Sequence, residues 1–242
     1  VMDLEARQRP DLANAYLNTY VEEIGDWEGL QVLPLYLNRQ SYVRAKVTSF
    51  LLDDPGVPWT EKEKAKETAS HYYKMAWQYT KPRQGKLILM SGLSGSGKST
   101  IAKKLARRMG AIHIRSDAVR KHLGGVPLYE KGGADLYSPE MTEKTYKRLL
   151  ELGIKLAATG YSVILDAKYD REALRQDAIA QSQSHDLPLQ ILQCSAPESV
   201  LRDRLNSRSG DITDATADLL ASQIAAAEPF AEAELAYVTT LD

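Results

Sequence analysis

At 242 residues, with 43% hydrophobic and 26% charged residues and a formal net charge of −1, the chain has a globular composition and length for one large domain or two small ones. The near-neutral balance provides no overall basic field for a nucleic-acid backbone, and no apolar run approaches the roughly 20 residues of a membrane span. The first residues, VMDLEARQRP, lack the basic and apolar regions of a secretory signal, so the cytoplasm is the expected compartment. The single cysteine, Cys194, lies in the apolar run LQILQCSA and is expected to be a buried thiol rather than a nucleophile.

Residues 1–82 predict helices and no strand. Leu12, Tyr16, Tyr20, Val21 and Ile24 recur at helical spacing between Pro10 and Ile24, and Gly25 supplies a stop. A second helix or broken pair is expected from Leu30 to Leu52, with Pro34 near its start and Asp53-Asp54-Pro55-Gly56 as a breaker. Thr60-Glu61-Lys62-Glu63 reads as a capping box opening a third helix, with Ala65, Ala69, Tyr72, Tyr73, Ala76 and Trp77 on one face. Trp27, Trp59 and Trp77 sit at packing spacing, which favours core over a binding platform.

Lys81-Pro82-Arg83-Gln84-Gly85-Lys86 is the polar boundary at which the pattern changes, giving an expected helical unit over 1–82 and a second domain over 83–242. Beyond it, strand candidates at 87–90, 111–114, 162–165, 189–193 and 238–241 alternate with helices. These helices run from Lys98 to Met109, briefly after Asp117, and from Ser138-Pro139 to near Gly160. That rhythm predicts an α/β fold in three layers, a parallel sheet with helices on both faces and ligands at the carboxyl ends of the strands.

The stretch LILMSGLSGSGKST, Leu87 to Thr100, carries the strongest chemical signal. Gly92-Leu93-Ser94-Gly95-Ser96-Gly97-Lys98-Ser99 matches the phosphate-loop pattern G-x-x-x-x-G-K-S/T, followed by Thr100 and a helix. Glycines let the backbone turn at positive φ and aim successive N–H groups inward, making an anion-sized nest at a helix N-terminus. Lys98 would add a charge for the outer phosphates, and the Ser99 hydroxyl would ligate Mg²⁺.

Three further groups could complete such a site. Asp166, ending the apolar strand YSVILDAK, sits where a second metal-side acid is expected beside Ser99. Asp117, where the second strand leaves the sheet, could orient and deprotonate an acceptor hydroxyl, and Arg120 one turn on could hold an anionic group of the acceptor. The bland alternative is that Asp117 caps a helix. Arg204 and Arg208 share a helix face that Arg202 does not, as expected of a segment closing over bound nucleotide. His71, His113, His122 and His185 lack metal-ligand spacing and read as surface or core histidines. Lys168, Arg171 and Arg175 read equally as acceptor-side groups or a solvated helix, and Gly124 to Asp135 as a flap or an ordinary loop.

Taken together, MSGLSGSGKST, RSDAVRK, SVILDAK, RDRLNSR and ASQIAAAEP resemble the small P-loop kinases, a group that includes gluconate kinase-like enzymes, the kinase domain of polynucleotide 5′-hydroxyl kinases and predicted kinases labelled AAA-family ATPases. The resemblance covers about residues 85–242. It implies a P-loop NTPase fold and ATP and Mg²⁺ as cofactors. Residue by residue it implies Lys98 and Ser99 at the phosphates and metal, Asp166 as the Walker B acid, Asp117 as general base, and Arg204 or Arg208 as lid arginine. Gln223 and Glu228-Pro229 echo the gluconate kinases, whereas Ala167-Lys168 stands where many relatives carry Ala-Thr, leaving the acceptor open. The segments VMDLEARQRPDLANAYLNTYVEEIGDW and YVRAKV resemble the last helices of an aminoglycoside phosphotransferase-like domain, which implies a carboxyl-terminal portion of a longer polypeptide whose missing part is a partner in cis. The leading expectation is phosphoryl transfer from ATP to a hydroxyl of a small metabolite or nucleotide-like acceptor. A nucleotide-gated regulatory module and a polynucleotide 5′-hydroxyl kinase are the alternatives, the last disfavoured by charge.

Overall fold

The computed structural model describes residues 1–207, 212–214 and 216–241. Four helices come first: α1 (Met2–Ala6), α2 (Pro10–Ile24), α3 (Leu33–Ser49) and α4 (Trp59–Tyr79). The remainder alternates as β1 (Lys86–Ser91), α5 (Lys98–Met109), β2 (Ile112–Arg115), α6 (Ser116–Gly124), α7 (Pro139–Ala158), β3 (Ser162–Asp166), α8 (Glu172–Ser184), β4 (Leu189–Cys194), α9 (Glu198–Asn206), α10 (Leu220–Ala226) and β5 (Val238–Leu241). The five strands form one parallel sheet in the order β2-β3-β1-β4-β5.

Strands buried on both faces need apolar residues on both, and Leu87 to Met90 are all fully buried. Leu87 and Leu89 pack with Ile112, Ile114, Val163 and Leu165 against α7 and α8, while Ile88 and Met90 pack with Ile164 and Leu192 against Ala102 and Ala106 of α5. This is the expected three-layer α/β fold. Because β1 pairs with β3 and β4, and the chain leaves β1 for the distant β2, the crevice at the carboxyl ends opens beside Ser91 and Asp166. No helix among the described residues is long and apolar enough to cross a membrane.

The amino-terminal helices depart from expectation in instructive ways. Of the expected stripe on α2, Leu12, Tyr16, Tyr20 and Ile24 are exposed and only Val21 is buried, together with Ala13 and Asn14. The amides of the helix explain the choice. Asn14 Nδ2 donates to the Ala111 carbonyl at 2.9 Å, and Asn18 both donates to that carbonyl at 3.0 Å and accepts from His113 N at 2.7 Å. β2 is an edge strand, so these amides satisfy backbone groups that no strand pairs. Of the three tryptophans, Trp27 is core, but Trp59 and Trp77 are 72% and 61% exposed. The Thr60–Glu63 capping box does not form. Pro58 is the N-cap, its carbonyl accepts from Glu61 N and Lys62 N, and Thr60 lies within the first turn. The stretch 30–52 resolves into a 3-10 turn at Glu28–Gln31, α3, and a second 3-10 turn at Phe50–Leu52.

The helix α7 opens as its sequence implies, with Ser138 Oγ accepting from Met141 N and Pro139 in the first turn. Arg175 of α8 corrects both sequence readings, being neither acceptor-facing nor solvated. Its guanidinium is 1% exposed and forms a two-pronged pair with Glu234 at 2.8 and 2.9 Å, and it also donates to the Tyr169, Glu228 and Pro229 carbonyls. Burial alone would raise the Glu234 pKa, but the Arg175 guanidinium and the Ala231 N–H hold it below the usual carboxylate value. Arg175→Ala strands that carboxylate without its counter-charge, and we expect about 3–5 kcal/mol of destabilisation in urea unfolding.

Candidate active site

The phosphate loop connects β1 to α5, and its glycines do what the motif requires: Gly92, Gly95 and Gly97 have φ of 138°, 83° and 93°. The first two also admit close neighbours. A Cβ on Gly92 would sit 2.2 Å from the Cys194 carbonyl, and one on Gly95 would sit 2.8 Å from the Leu201 carbonyl. Cys194 is itself the buried free thiol expected. Ser94 N donates to Gln223 Oε1 at 3.2 Å, so α10 holds the loop from its open side. Lys98 Nζ donates to the Leu93 carbonyl at 2.7 Å, closing the loop on itself, and burial pushes the Lys98 pKa down despite the nearby Asp166 charge. The hydroxyl of Ser96 is buried without a partner among the described residues.

Asp166 ends β3 next to this loop. Burial would raise its pKa, but hydrogen bonds from His113 and Ser99 and the charges of His113 and Lys98 hold it below the usual value. His113 Nε2 donates to Asp166 Oδ2 at 3.0 Å, and because a carboxylate only accepts, the proton lies on Nε2. His113 is therefore part of the site, which the sequence reading missed. Register explains the contact: His113 lies opposite Ile164, so Asp166, two residues on, shares its face of the sheet. Spacing along the chain carries no signal of that pairing; the one hint was a histidine between two isoleucines.

Asp117 lies in the first turn of α6 but does not cap it, since Arg115 is the N-cap and no side chain caps the helix. Burial raises the Asp117 pKa against the opposing charges of Arg115 and Arg120 and a hydrogen bond from Thr213. Arg120 is buried, donating to the Leu136 carbonyl and to Thr142 Oγ1, both at 3.1 Å, with its guanidinium 5.3 Å from the centre of the Tyr137 ring. Arg204 reaches the loop and donates to the Gly95 carbonyl at 3.2 Å, whereas Arg202 pairs with Glu198 on the surface. Arg208 lies outside the described residues. Lys168 pairs with Asp170 at 2.9 Å.

The glycine-rich segment after α6 is tied down. Buried Lys121 donates to the Leu128 and Glu130 carbonyls at 2.8 and 2.7 Å and lies 3.4 Å from Asp214, which also accepts from Gly132 N and the Tyr137 hydroxyl. Asp214 thus joins the segment after α9 to the far wall of the crevice.

One cavity of about 1680 Å³ is lined by Ser94, Gly95, Lys98, Ser99 and Thr100 at one end and by Asp117, Arg120 and Tyr137 across from them, with Asp166 between. Ser99 and Asp166 offer two hard oxygen donors in mutual contact, which suits a magnesium ion completed by phosphate and water oxygens. Among the described residues no group of three or more His, Cys, Asp and Glu side chains is arranged to hold a metal ion. His113→Ala removes a hydrogen bond from a buried carboxylate and should cost about 1–3 kcal/mol in urea unfolding, with His113→Asn recovering part of it through its amide donor.

A family model described as an AAA domain (AAA_33) matches residues 87–230. The uncharacterized protein Rv2004c of Mycobacterium tuberculosis is 32% identical over 225 residues, covering 91% of this chain and 44% of that protein, so the chain spans less than half of that relative. A cytidylate kinase of Caldicellulosiruptor saccharolyticus is 34% identical over 95 residues, 38% of this chain and 40% of that enzyme. The gluconokinase structure from Sinorhizobium meliloti aligns with a TM-score of 0.47 at 22% identity, over 66% of this chain and 83% of that one. The phosphate loop, the sheet that carries it and the matched span together place this chain in the AAA_33 family of AAA domains, among the small P-loop kinase-like proteins.

Proposed function

We propose that the chain transfers the γ-phosphoryl group of ATP to a hydroxyl of a small acceptor, residues 83–242 forming the kinase domain and residues 1–82 a helical unit. The observation that carries this reading is the shared cavity, which the phosphate loop lines together with a half-buried carboxylate, Asp117, and the Asp166 end of β3. A phosphate-binding nest needs no such carboxylate merely to bind nucleotide. A transferase does, because the attacking hydroxyl must be aimed and must lose a proton. The matched cytidylate kinase and a shikimate kinase of Geobacter sulfurreducens, 28% identical over 103 residues, support the reaction class but not the acceptor.

In this reading the loop N–H groups and the α5 N-terminus hold the β- and γ-phosphates, and Lys98 and Arg204 turn from the loop carbonyls they now contact towards phosphate oxygens. Ser99 and Asp166 would hold Mg²⁺, whose chemistry is to neutralise charge on the phosphate oxygens. Asp117 accepts the acceptor's proton, and Arg120, fixed by Leu136 and Thr142, shapes the acceptor end. Thr213 and Asp214, which line the cavity, would limit access of water, the competing acceptor.

A second reading, nucleotide-gated regulation through the helical unit, is favoured by one contact. Asn18 of α2 bonds the backbone of His113, whose ring bonds Asp166. It predicts slow, acceptor-independent hydrolysis.

A screen of hydroxyl acceptors with labelled ATP tests the leading reading. Lys98→Ala should lower turnover by more than about a hundredfold, and Asp117→Asn should leave ATP affinity within about twofold while lowering transfer about 10²-fold or more. A fully active Asp117→Asn variant removes Asp117 from its role. Because Asp117 must be ionised to act and burial raises its pKa, kcat/KM should fall on acidification at a pH above that of an ordinary aspartate, in an acid limb that Asp117→Asn lacks.

A further inference from the structure

The cavity is large for a single ligand site. Ligand sites generally run to about 300–1,000 Å³, against about 1680 Å³ here. The excess has a direction. Residues along α7 from Pro139 to Lys155 line the cavity, and at about 1.5 Å of rise per residue that face extends about 24 Å away from the phosphate loop's end of the crevice. On the facing helix, α8, the lining runs from Ala173 through Asp177 to Gln181. A cleft therefore continues from Asp117 between α7 and α8.

Its chemistry differs from that of the phosphate end. Leu150, Ile154 and Leu174 provide an apolar lining. Glu143, Glu151 and Asp177 stand along the walls with Lys147, Lys155 and Arg171, and Lys155 is already held by Glu28 at 2.7 Å. A chain of phosphates would meet those carboxylates, whereas an uncharged body would not. Tyr169, also in the lining, adds an independent sign of a ligand. It is a non-glycine residue at φ 43°, it is 1% exposed with its ring edge-on to Tyr146 at 5.4 Å, and its buried hydroxyl has no partner among the described residues. Strained backbone holding an unsatisfied donor is commonly found where a ligand completes the arrangement.

We propose that the α7–α8 cleft is a second binding subsite that takes the elongated, uncharged and largely apolar body of the acceptor, whose reactive hydroxyl lies at Asp117. This rests on the phosphotransferase reading for the hydroxyl end only. The Tyr169 hydroxyl donates to a polar atom of that body, and Leu150, Ile154 and Leu174 cover its apolar part.

The test uses the full chain with labelled methyl groups, titrated with 1-butanol, 1-hexanol and 1-octanol in the presence of Mg·ATP. Saturable shifts of the Leu150, Ile154 and Leu174 methyls are expected, with Kd falling at least about tenfold from butanol to octanol as methylenes leave water. Ala173→Trp fills the cleft from an exposed position and should return octanol to the butanol level, with melting temperature and ATP affinity as controls for folding. Affinity independent of chain length, shifts confined to other regions, or a folded Ala173→Trp variant that binds octanol normally would overturn the proposal. So would an oligothymidylate with a free 5′-hydroxyl that shifts the same methyls at lower concentration than octanol. Failure to bind Mg·ATP in the same samples would instead remove the phosphotransferase reading, leaving the chain-length dependence to decide the cleft by itself.

Discussion

A carboxylate buried at the end of a strand is costly unless its surroundings answer its charge, and Asp166 imposes that condition on everything around it. Its neighbours come from two different elements: His113 from β2, and Lys98 and Ser99 from the first turn of α5. Each is there because the sheet order puts β3 between β2 and β1, so that the groups converge from both sides. Removing any one leaves a buried charge under-compensated. Lys98, itself buried with a depressed pKa, depends on Asp166 in return.

Two further polar clusters do a different job. Arg175 ties α8 to the segment at 228–234, and Lys121 and Asp214 tie the 128–132 turn to the chain beyond α9. Both clusters join α-helices to turns, loops and, for Arg175, the 3-10 turn Glu232–Tyr237, and backbone carbonyls are their main acceptors. Side chains therefore stand in for the sheet and helix hydrogen bonds that loops lack. The walls of the cavity are fixed largely by these two lysine- and arginine-centred knots.

The chain's local patterns carried the sheet unit well and the helical unit less well, for physical reasons. Strands buried on both faces and a glycine loop have no alternative conformation of comparable stability, so β1, the loop and α5 were legible residue by residue. In α2 the apolar stripe pointed to the wrong face, because two asparagines docking on backbone groups outweighed Tyr16, Tyr20 and Ile24. Hydrophobic periodicity is blind to such polar docking. Asp166, Asp117 and Arg120 could be singled out from strand ends and helix spacing, but the pairing of His113 with Asp166 depends on register between strands that lie 50 residues apart in sequence, which no local pattern encodes. Arg175 was misread because nothing nearby in the chain announces Glu234, 59 residues on.

The amide fork that α2 places on β2 has a consequence for assembly. An uncovered outermost strand in a parallel sheet is a template on which another copy can add its own backbone, the first step towards fibrils and swapped oligomers. Asn14 and Asn18 occupy the Ala111 and His113 positions of that template, and the body of α2 stands beside it as a bumper. A truncated chain beginning after Gly25 would bare that rim, so loss of the first two helices would show itself in self-association before it showed in chemistry.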